Sequence, residues 1–432
     1  MYEAYITRIK NLRKHSNADR LQVGECFGNF VIVDLRTFEN ELGVYFPTDG
    51  KIGIEYATQN NLLRKKDENG NSCGGYLDPE RRNITSLKLR GEKSDGLFMP
   101  LTSLDKFCDI EALKEGDKIT VLNGIVICEK YIPVKKTANK VTSNKVKPKN
   151  VDRISFPLFE EHVDTSQLAY NLHQFKTGDT CYITLKMHGT SGRTSYSLEE
   201  FQKKQNLIQK LLKIKNKLVK SWKYISGTRK MVLQSYANGY YGDNNFRRKW
   251  HDFFVDKLQK GETVYYEIVG YTEGSRFIMP ECSNKKTCDK EFIKQYGDIT
   301  KFTYGCQEGE NNVYVYRMTM TNEDGYVVEY PWELVKLRCE QMCINHVPQL
   351  DKFIYTTNED LMQRVHTYYD GADSVGKTHI REGIVVRIDN KAKFSAFKHK
   401  NFNFKVLESI IKVDAIEPDM EEAQEVIEVE EK

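Results

Sequence analysis

Between Val134 and Asn150 the chain carries six lysines, no acidic residue and no hydrophobic periodicity. Such a stretch has nothing to bury, so it reads as a linker between two bodies rather than as part of either core. The length demands the same division, because 432 residues exceed what one core usually organises, about 250–300 residues. The expected layout is a first module over 1–133, the Lys-rich linker over 134–150, a second domain over 151–414 and a tail over 415–432. From Ala415 to Lys432 there are eight carboxylates and one lysine. The formal charge of the whole chain is +4, so the part before the tail carries +11. A basic body with an acidic tail suggests a polyanionic partner, with the tail either competing for that surface or aiding solubility. No apolar run approaches the ~18 residues of a membrane span, so no membrane association is expected. The opening residues Met1 to Arg8 lack the apolar core of a signal peptide, and the expectation is a cytoplasmic, or alternatively nuclear, protein. Ten scattered cysteines then read as reduced thiols.

The first 133 residues read as short strands: Ala4 to Ile9, Leu21 to Cys26, Phe30 to Leu35, Gly43 to Phe46, Ser86 to Leu89, Gly96 to Met99, Lys118 to Leu122 and Ile125 to Cys128. Turn signals such as Asp49-Gly50 and Asn123-Gly124 separate them. A small all-β barrel is expected. The second domain mixes strands (Thr180 to Met187, Thr263 to Gly270, Asn312 to Thr319, Tyr326 to Tyr330, Gly383 to Ile388, Phe394 to Lys400) with a helix over Trp332 to Cys343. That pattern predicts an α+β domain on antiparallel sheets. Phe201 to Lys223 places Leu207, Leu211, Ile214 and Leu218 at helical spacing among eight lysines. An amphipathic helix with a wholly positive face is expected there, able to track phosphates or simply to face water.

Four segments carry chemistry. In Cys181-Tyr182-Ile183-Thr184-Leu185-Lys186-Met187-His188-Gly189-Thr190-Ser191, strand alternation puts Ile183, Leu185 and Met187 on one face and Thr184, Lys186 and His188 on the other. Tyr265-Tyr266-Glu267-Ile268-Val269-Gly270 has one carboxylate in a buried-looking strand. Glu382-Gly383-Ile384-Val385 opens an apolar strand with another, and Lys398-His399-Lys400 sets two ammoniums two residues apart. Each alone fits an ordinary salt-bridged strand. In this order they resemble the nucleotidyltransferase motifs of polynucleotide ligases. The chain resembles ATP-dependent RNA ligases of the branch with an N-terminal OB module, for which Ile9-x5-His15-Ser16-Asn17-Ala18-Asp19-Arg20-Leu21 and Leu87-Lys88-Leu89-Arg90-Gly91-x3-Asp95-Gly96-Leu97 are the N-terminal cues. DNA ligases and capping enzymes carry their OB module after the Lys-x-Lys motif, where only 32 residues remain here.

The resemblance implies an OB-type β-barrel followed by an adenylation domain, ATP as substrate, Mg²⁺ or Mn²⁺ as metal and RNA as partner, acting as a monomer. It implies that Lys186 attacks the α-phosphorus of ATP, and that the OH of an RNA 3′ end later displaces AMP from AppRNA, in RNA repair. An amine with a reference pKa of about 10.4 needs neighbouring cations to become a nucleophile, and Lys398, Lys400 and the metal would supply them. The same lysines would offset charge on the α-phosphate. Glu382 would hold metal-bound water, and Glu267 would contact the ribose or help position metal, which hard oxygen donors suit. Leu185, His188, Gly189, Glu267, Glu382, Lys398 and Lys400 would line the nucleotide site. Tyr316 would stack on adenine. Arg229, in Ser226-Gly227-Thr228-Arg229, would contact the sugar or a 5′-phosphate.

Two other patterns compete. Gly371-Ala372-Asp373-Ser374-Val375-Gly376-Lys377-Thr378 matches the P-loop letter for letter, but it lacks a preceding buried strand and a following helix, and it is expected to be a surface loop. Cys282, Cys288 and Cys306 fit no common zinc spacing, and Cys339 and Cys343 read as one turn of a buried helix face. The alternatives left open are a noncatalytic RNA-binding protein with a decayed transferase domain, and a DNA ligase or capping-type nucleotidyltransferase.

Overall fold

The computed structural model describes residues 2–66, 72–132, 154–202, 218–233, 236 and 244–414. The linker 134–150, residues 203–217 of the helix expected over Phe201 to Lys223 and the tail 415–432 lie outside them. The described residues form two compact units, the first within 1–135, 282–299 and 402–418, the second within 136–281 and 300–401. The first unit therefore gathers three stretches of chain where the sequence suggested one.

In the first unit an antiparallel sheet runs in the order Leu97–Pro100, Leu42–Phe46, Ala4–Arg8, Lys118–Ile119. Alternation puts Ala4, Ile6, Val44 and Phe46 into one core with Ile52, Tyr56 and Leu104. Lys10–Lys14, Leu21–Cys26 and Asn29–Asp34 form a separate meander. Among the described residues these sheets do not close, so the expected barrel is not formed. One edge strand, Lys118–Ile119, has only two residues before the Val121–Leu122 and Ile125–Val126 hairpin begins, too short a ladder for closure. The two N-terminal cues meet each other. His15 is buried with its Nε2 at 3.1 Å from the Leu89 carbonyl, and Asn17 Nδ2 donates to Arg90 O at 3.0 Å. Asp95 accepts Ser86 Oγ at 2.5 Å and pairs with Lys405 of the helix Phe402–Asp414, while Lys88 pairs with Asp289. These ties recruit the two later stretches.

The second unit holds two sheets. In one the order is Ser166–Gln167, Ala396–Lys400, Gly383–Ile388, Thr180–Lys186, Gln349–Ile354. Cys181, Ile183, Ile384, Val386 and Phe397 line its core face with Leu361 and Val365. The other runs Ile154–Ser155, Thr190–Gln202, Glu262–Gly270, Asn311–Thr321, Val327–Glu329, with Leu218–Gly227 also pairing Thr190–Gln202. That pairing spans ten residues from Arg193↔Gly227 to Gln202↔Leu218. It corrects both described ends of the helix expected over Phe201 to Lys223, because a long ladder overrides a local helical period. Cys343 is exposed and left-handed at the end of the helix Trp332–Met342, so it does not share the buried face of Cys339. No helix among the described residues is long and apolar enough to cross a membrane. Nor do the described residues contain a group of three metal-ligating side chains, and the cysteines form no disulfide among them.

Candidate active site at the seam of two sheets

Thr180–Lys186 belongs to one sheet and Thr190–Gln202 to the other, so the turn Met187-His188-Gly189 carries the chain across the seam. Gly189 permits the crossing. A Cβ there would come within 2.3 Å of Ile268 O and 2.9 Å of Glu267 Cγ, so any other residue would push the lysine turn off the Glu267 strand.

Three neighbouring strands then put their polar ends together. Lys186 stands opposite Gly383, and Gly383 opposite Lys400. Lys186 Nζ lies 2.8 Å from Glu382 Oε1 and Lys400 Nζ 3.3 Å from the same oxygen, while His188 Nδ1 lies 3.9 Å from Oε2. Glu382 is 3% exposed, Lys400 9% and Lys186 22%. The carboxylate is thus buried between two ammoniums, and of these three groups the lysine is the one most open to solvent. A buried carboxylate would be costly without such partners. Gly383 makes the arrangement possible: its φ is 148°, and a Cβ would meet His399 O at 2.2 Å. Lys398 stands two rungs further along, in line with Val385 and Thr184, on the face that Lys186 and Lys400 share. Leu185 sits opposite Ile384 and is buried on the other face.

Glu267 is the one residue of the nine in Glu262–Gly270 that is not buried. It faces Ser191 across the ladder and accepts that hydroxyl at 3.2 Å. Arg247, from the helix Asn245–Phe254, steadies this end of the turn, donating to Ser191 O at 2.8 Å and Thr190 Oγ1 at 2.5 Å.

A second group surrounds His162. Its ring meets Tyr316 edge-on at 5.0 Å, and its backbone N–H donates to Arg229 O at 3.4 Å. Burial, then the fields of Arg317, Arg229, Arg193 and Lys186, hold its pKa well below 6.5, so the imidazole is neutral. His162 thus touches Tyr316 and the Arg229 backbone, and it lies within the electrostatic reach of Lys186. Arg193, 1% exposed, builds this group by donating to Thr228 O at 3.0 Å, Phe159 O at 3.3 Å, Lys230 O at 3.2 Å and Glu160 O. It thereby ties together the loops that carry His162 and Arg229. Arg229 itself pairs with Asp164. Arg317 is held by Glu329, both oxygens at 3.0 Å from Nε, and lies over the Tyr265 ring at 4.4 Å.

Sequence reasoning missed His162, Arg193, Arg247 and Tyr304, whose hydroxyl accepts the His188 N–H at 2.7 Å. Arg193 lies in a polar stretch rich in Ser and Thr, and Arg247 opens the cationic run Arg247-Arg248-Lys249, so neither stands out in sequence. Tyr304 sits in an aperiodic segment that gave none.

The loop Gly371 to Thr378 is no phosphate cradle. Asp373, 1% exposed, itself accepts Val375 N at 2.9 Å, Gly376 N at 2.8 Å and Thr378 N at 3.1 Å. The amides that a P-loop offers to phosphate are already taken.

No protein-family model matches the chain, and no curated protein matches it. Solved structures do. A lysine-to-alanine variant of an RNA ligase from Naegleria gruberi with ATP and Mn is similar over 95% of this chain and 99% of its own, at 16% identity and a TM-score of 0.59. A glutamate-to-alanine variant of the same ligase with AMP and Mn is similar over the same shares, at 17% identity and a TM-score of 0.58. The form with PPi covers 93% of this chain and 97% of its own, at 16% identity and a TM-score of 0.57. At such identity the likeness establishes a shared fold.

Proposed function

We propose that this protein is an ATP-dependent RNA ligase that joins 5′-phosphate and 3′-hydroxyl ends, serving RNA repair. One observation carries the reading: Lys186 and Lys400 converge on the buried carboxylate of Glu382 at the end of three adjacent strands, beside the Glu267 strand. A nucleophilic amine, a second cation and two carboxylates are the groups that nucleotidyl transfer to lysine requires. Fold likeness to the Naegleria gruberi ligase over nearly the whole chain supports it.

In this reading Lys186 Nζ attacks the α-phosphorus of ATP, the bond to pyrophosphate breaks, and the lysine loses a proton as lysyl-AMP forms. The 5′-phosphate of RNA then attacks the same phosphorus and releases Lys186, giving AppRNA. Finally a 3′-hydroxyl attacks the 5′-phosphorus, expels AMP and seals the strand. Lys400 and Lys398 offset charge on the α-phosphate, and Tyr316 stacks on adenine. Arg229, now held by Asp164, is placed to exchange that partner for a sugar oxygen or a 5′-phosphate.

Glu267 and Glu382 suit Mg²⁺ or Mn²⁺: both are hard oxygen donors, and two carboxylates leave most of the coordination to water and phosphate oxygens. When bound, the ion would add positive charge beside the α-phosphate. The first unit, where the two N-terminal cues meet, is the proposed RNA-contacting module. The basic body before the tail fits such a partner.

The test uses α-labelled ATP and the full chain. The expected product is a protein-AMP adduct that acid and hydroxylamine cleave, followed by sealing of nicks bearing an RNA 3′-hydroxyl in preference to DNA. Transfer from GTP instead of ATP would move the protein to a capping-type activity. Equal sealing of all-DNA nicks would make it a DNA ligase, and no adduct at all would leave RNA binding alone.

A further inference from the structure

Tyr304 lies between the strands Glu262–Gly270 and Asn311–Thr321, with a left-handed backbone at φ 51° and a buried side chain. A non-glycine residue in that region is strained, so the surroundings must impose it. Burial, then the Glu382 carboxylate, push the phenol pKa well above 10, and the group stays protonated and neutral at working pH. Its oxygen accepts the N–H of His188, two residues beyond Lys186. The ring meets His379 edge-on at 4.5 Å. Phe302 completes the cluster, meeting His188 at 4.7 Å and His379 at 5.2 Å.

The P-loop lookalike holds this cluster from behind. Asp373 gathers the amides of Val375, Gly376 and Thr378 and donates its own N–H to His379 O at 2.8 Å. Gly376 is pressed on the Tyr304-Gly305 backbone so closely that a Cβ would come within 2.4 Å of Gly305 N and 2.5 Å of Tyr304 C. The His379 Nδ1–H donates to Ile380 O at 2.8 Å, which fixes the ring that Tyr304 leans on.

We propose, resting on the ligase reading above, that Tyr304 is a positioning residue for the lysine turn, and that the Asp373-closed loop Gly371 to Thr378 is the brace that keeps it there. The phenol pins the turn one peptide beyond Met187, and so sets where the Lys186 strand ends relative to Glu382 and Glu267. A nucleophile misplaced by about 1 Å loses up to about 100-fold in rate.

Two measurements on the full chain test this. Amide hydrogen exchange at His188 should quicken about five- to tenfold in Tyr304→Phe, the loss of one hydrogen bond. In the same variant the maximal rate of lysyl-AMP formation should fall between about 10- and 100-fold, with KM for ATP within about twofold of wild type. Asp373→Ala should slow the maximal rate likewise, and formate, the size of the missing carboxylate, should restore part of it where chloride at equal ionic strength does not. Unchanged His188 exchange in Tyr304→Phe would overturn the contact. Faster exchange with an unchanged maximal rate, or a rise in KM alone, would overturn the positioning role. A wild-type chain that never labels would bring down the ligase reading and the kinetic half of the proposal with it, while the exchange arm would still decide whether Tyr304 pins the turn.

Discussion

Two lysine-bearing segments of this chain look like nucleotide sites, and the one with the better letter match is the worse candidate. Gly371 to Thr378 satisfies every position of the P-loop pattern, yet its amides close on Asp373 and Lys377 is exposed. Cys181 to Ser191 matches a looser pattern, but its lysine meets a second lysine and a buried glutamate contributed from 196 and more residues away. A phosphate-binding loop works through free amide donors, and spacing alone does not say whether they are free. A covalent lysine works through the charges gathered round it, and those come from other strands.

The sharpest break between the two segments is Lys186→Ala, which should abolish protein-AMP formation, since the other amine on Glu382, that of Lys400, is more buried and comes from a different strand. A variant that still labels would remove Lys186 from the site. Next comes Lys400→Ala. The nucleophile remains, but one of the two ammoniums on Glu382 is lost, and removing such a charge typically costs about 10²–10³-fold in rate. Labelling at the wild-type rate would reduce Lys400 to a salt bridge. Gly383→Ala tests the scaffold beneath both: with φ at 148° and His399 O within 2.2 Å of the new Cβ, it should destabilise the second unit by about 1–3 kcal/mol, read as a lowered denaturant midpoint. An unchanged midpoint would show that the three strand ends adjust freely.

How much of this was legible in the sequence follows from where each group sits. Lys186, Glu267, Lys398 and Lys400 lie on regular strands, where period-two alternation separates a core face from a polar one, Glu382 directly precedes one, and the strand bounds fell close to those expected. Arg193 and Tyr304 act through carbonyls and amides of irregular loops, and no periodicity marks which loops will meet. The return of 282–299 and 402–418 to the first unit rests on Lys88 with Asp289 and Lys405 with Asp95, ion pairs separated by 201 and 310 residues. Lysine and aspartate look the same in sequence whether paired or solvated. One consequence bears on truncation. Removing residues 1 to about 133 would leave the helix Phe402–Asp414 without Asp95, so a shortened chain must be shown to fold before its sealing is judged.

A smaller effect tests the loop side through its own titration. Burial holds the His379 pKa below 6.5 although the Ile380 carbonyl and Asp373 pull the other way. The folded state then stays neutral where the unfolded state takes up a proton. Stability from this group is complete above about pH 6.5 and is lost as pH falls below it, by up to about 1.4 kcal/mol per pH unit. His162 and His251 share the direction, so the quantity to measure is the difference between wild type and His379→Asn in urea unfolding at pH 7 and pH 5.5. The wild type should lose more on acidification than the variant. Equal losses would mean that His379 charges freely and that the cluster behind Tyr304 is open to water.

The smallest expected effect decides most between the two segments. Lys377→Ala removes the residue that a P-loop could not do without, because in that motif the lysine reaches the β- and γ-phosphates. Here the side chain is exposed, and the amides it would assist are bound to Asp373. What braces Tyr304 is the Asp373 carboxylate and the bare Cα of Gly376, neither of which the substitution touches. Label transfer from α-labelled ATP should therefore stay within about twofold of wild type, the range of an ordinary surface change of ±0.5 kcal/mol. The backbone at Lys377 is left-handed at φ 57°, a strain that alanine inherits rather than creates. A loss of labelling as deep as that of Lys400→Ala would mean that the loop opens and releases Asp373 when ATP arrives. The letter match would then have been the better guide, and the lysine-bearing strand the decoy.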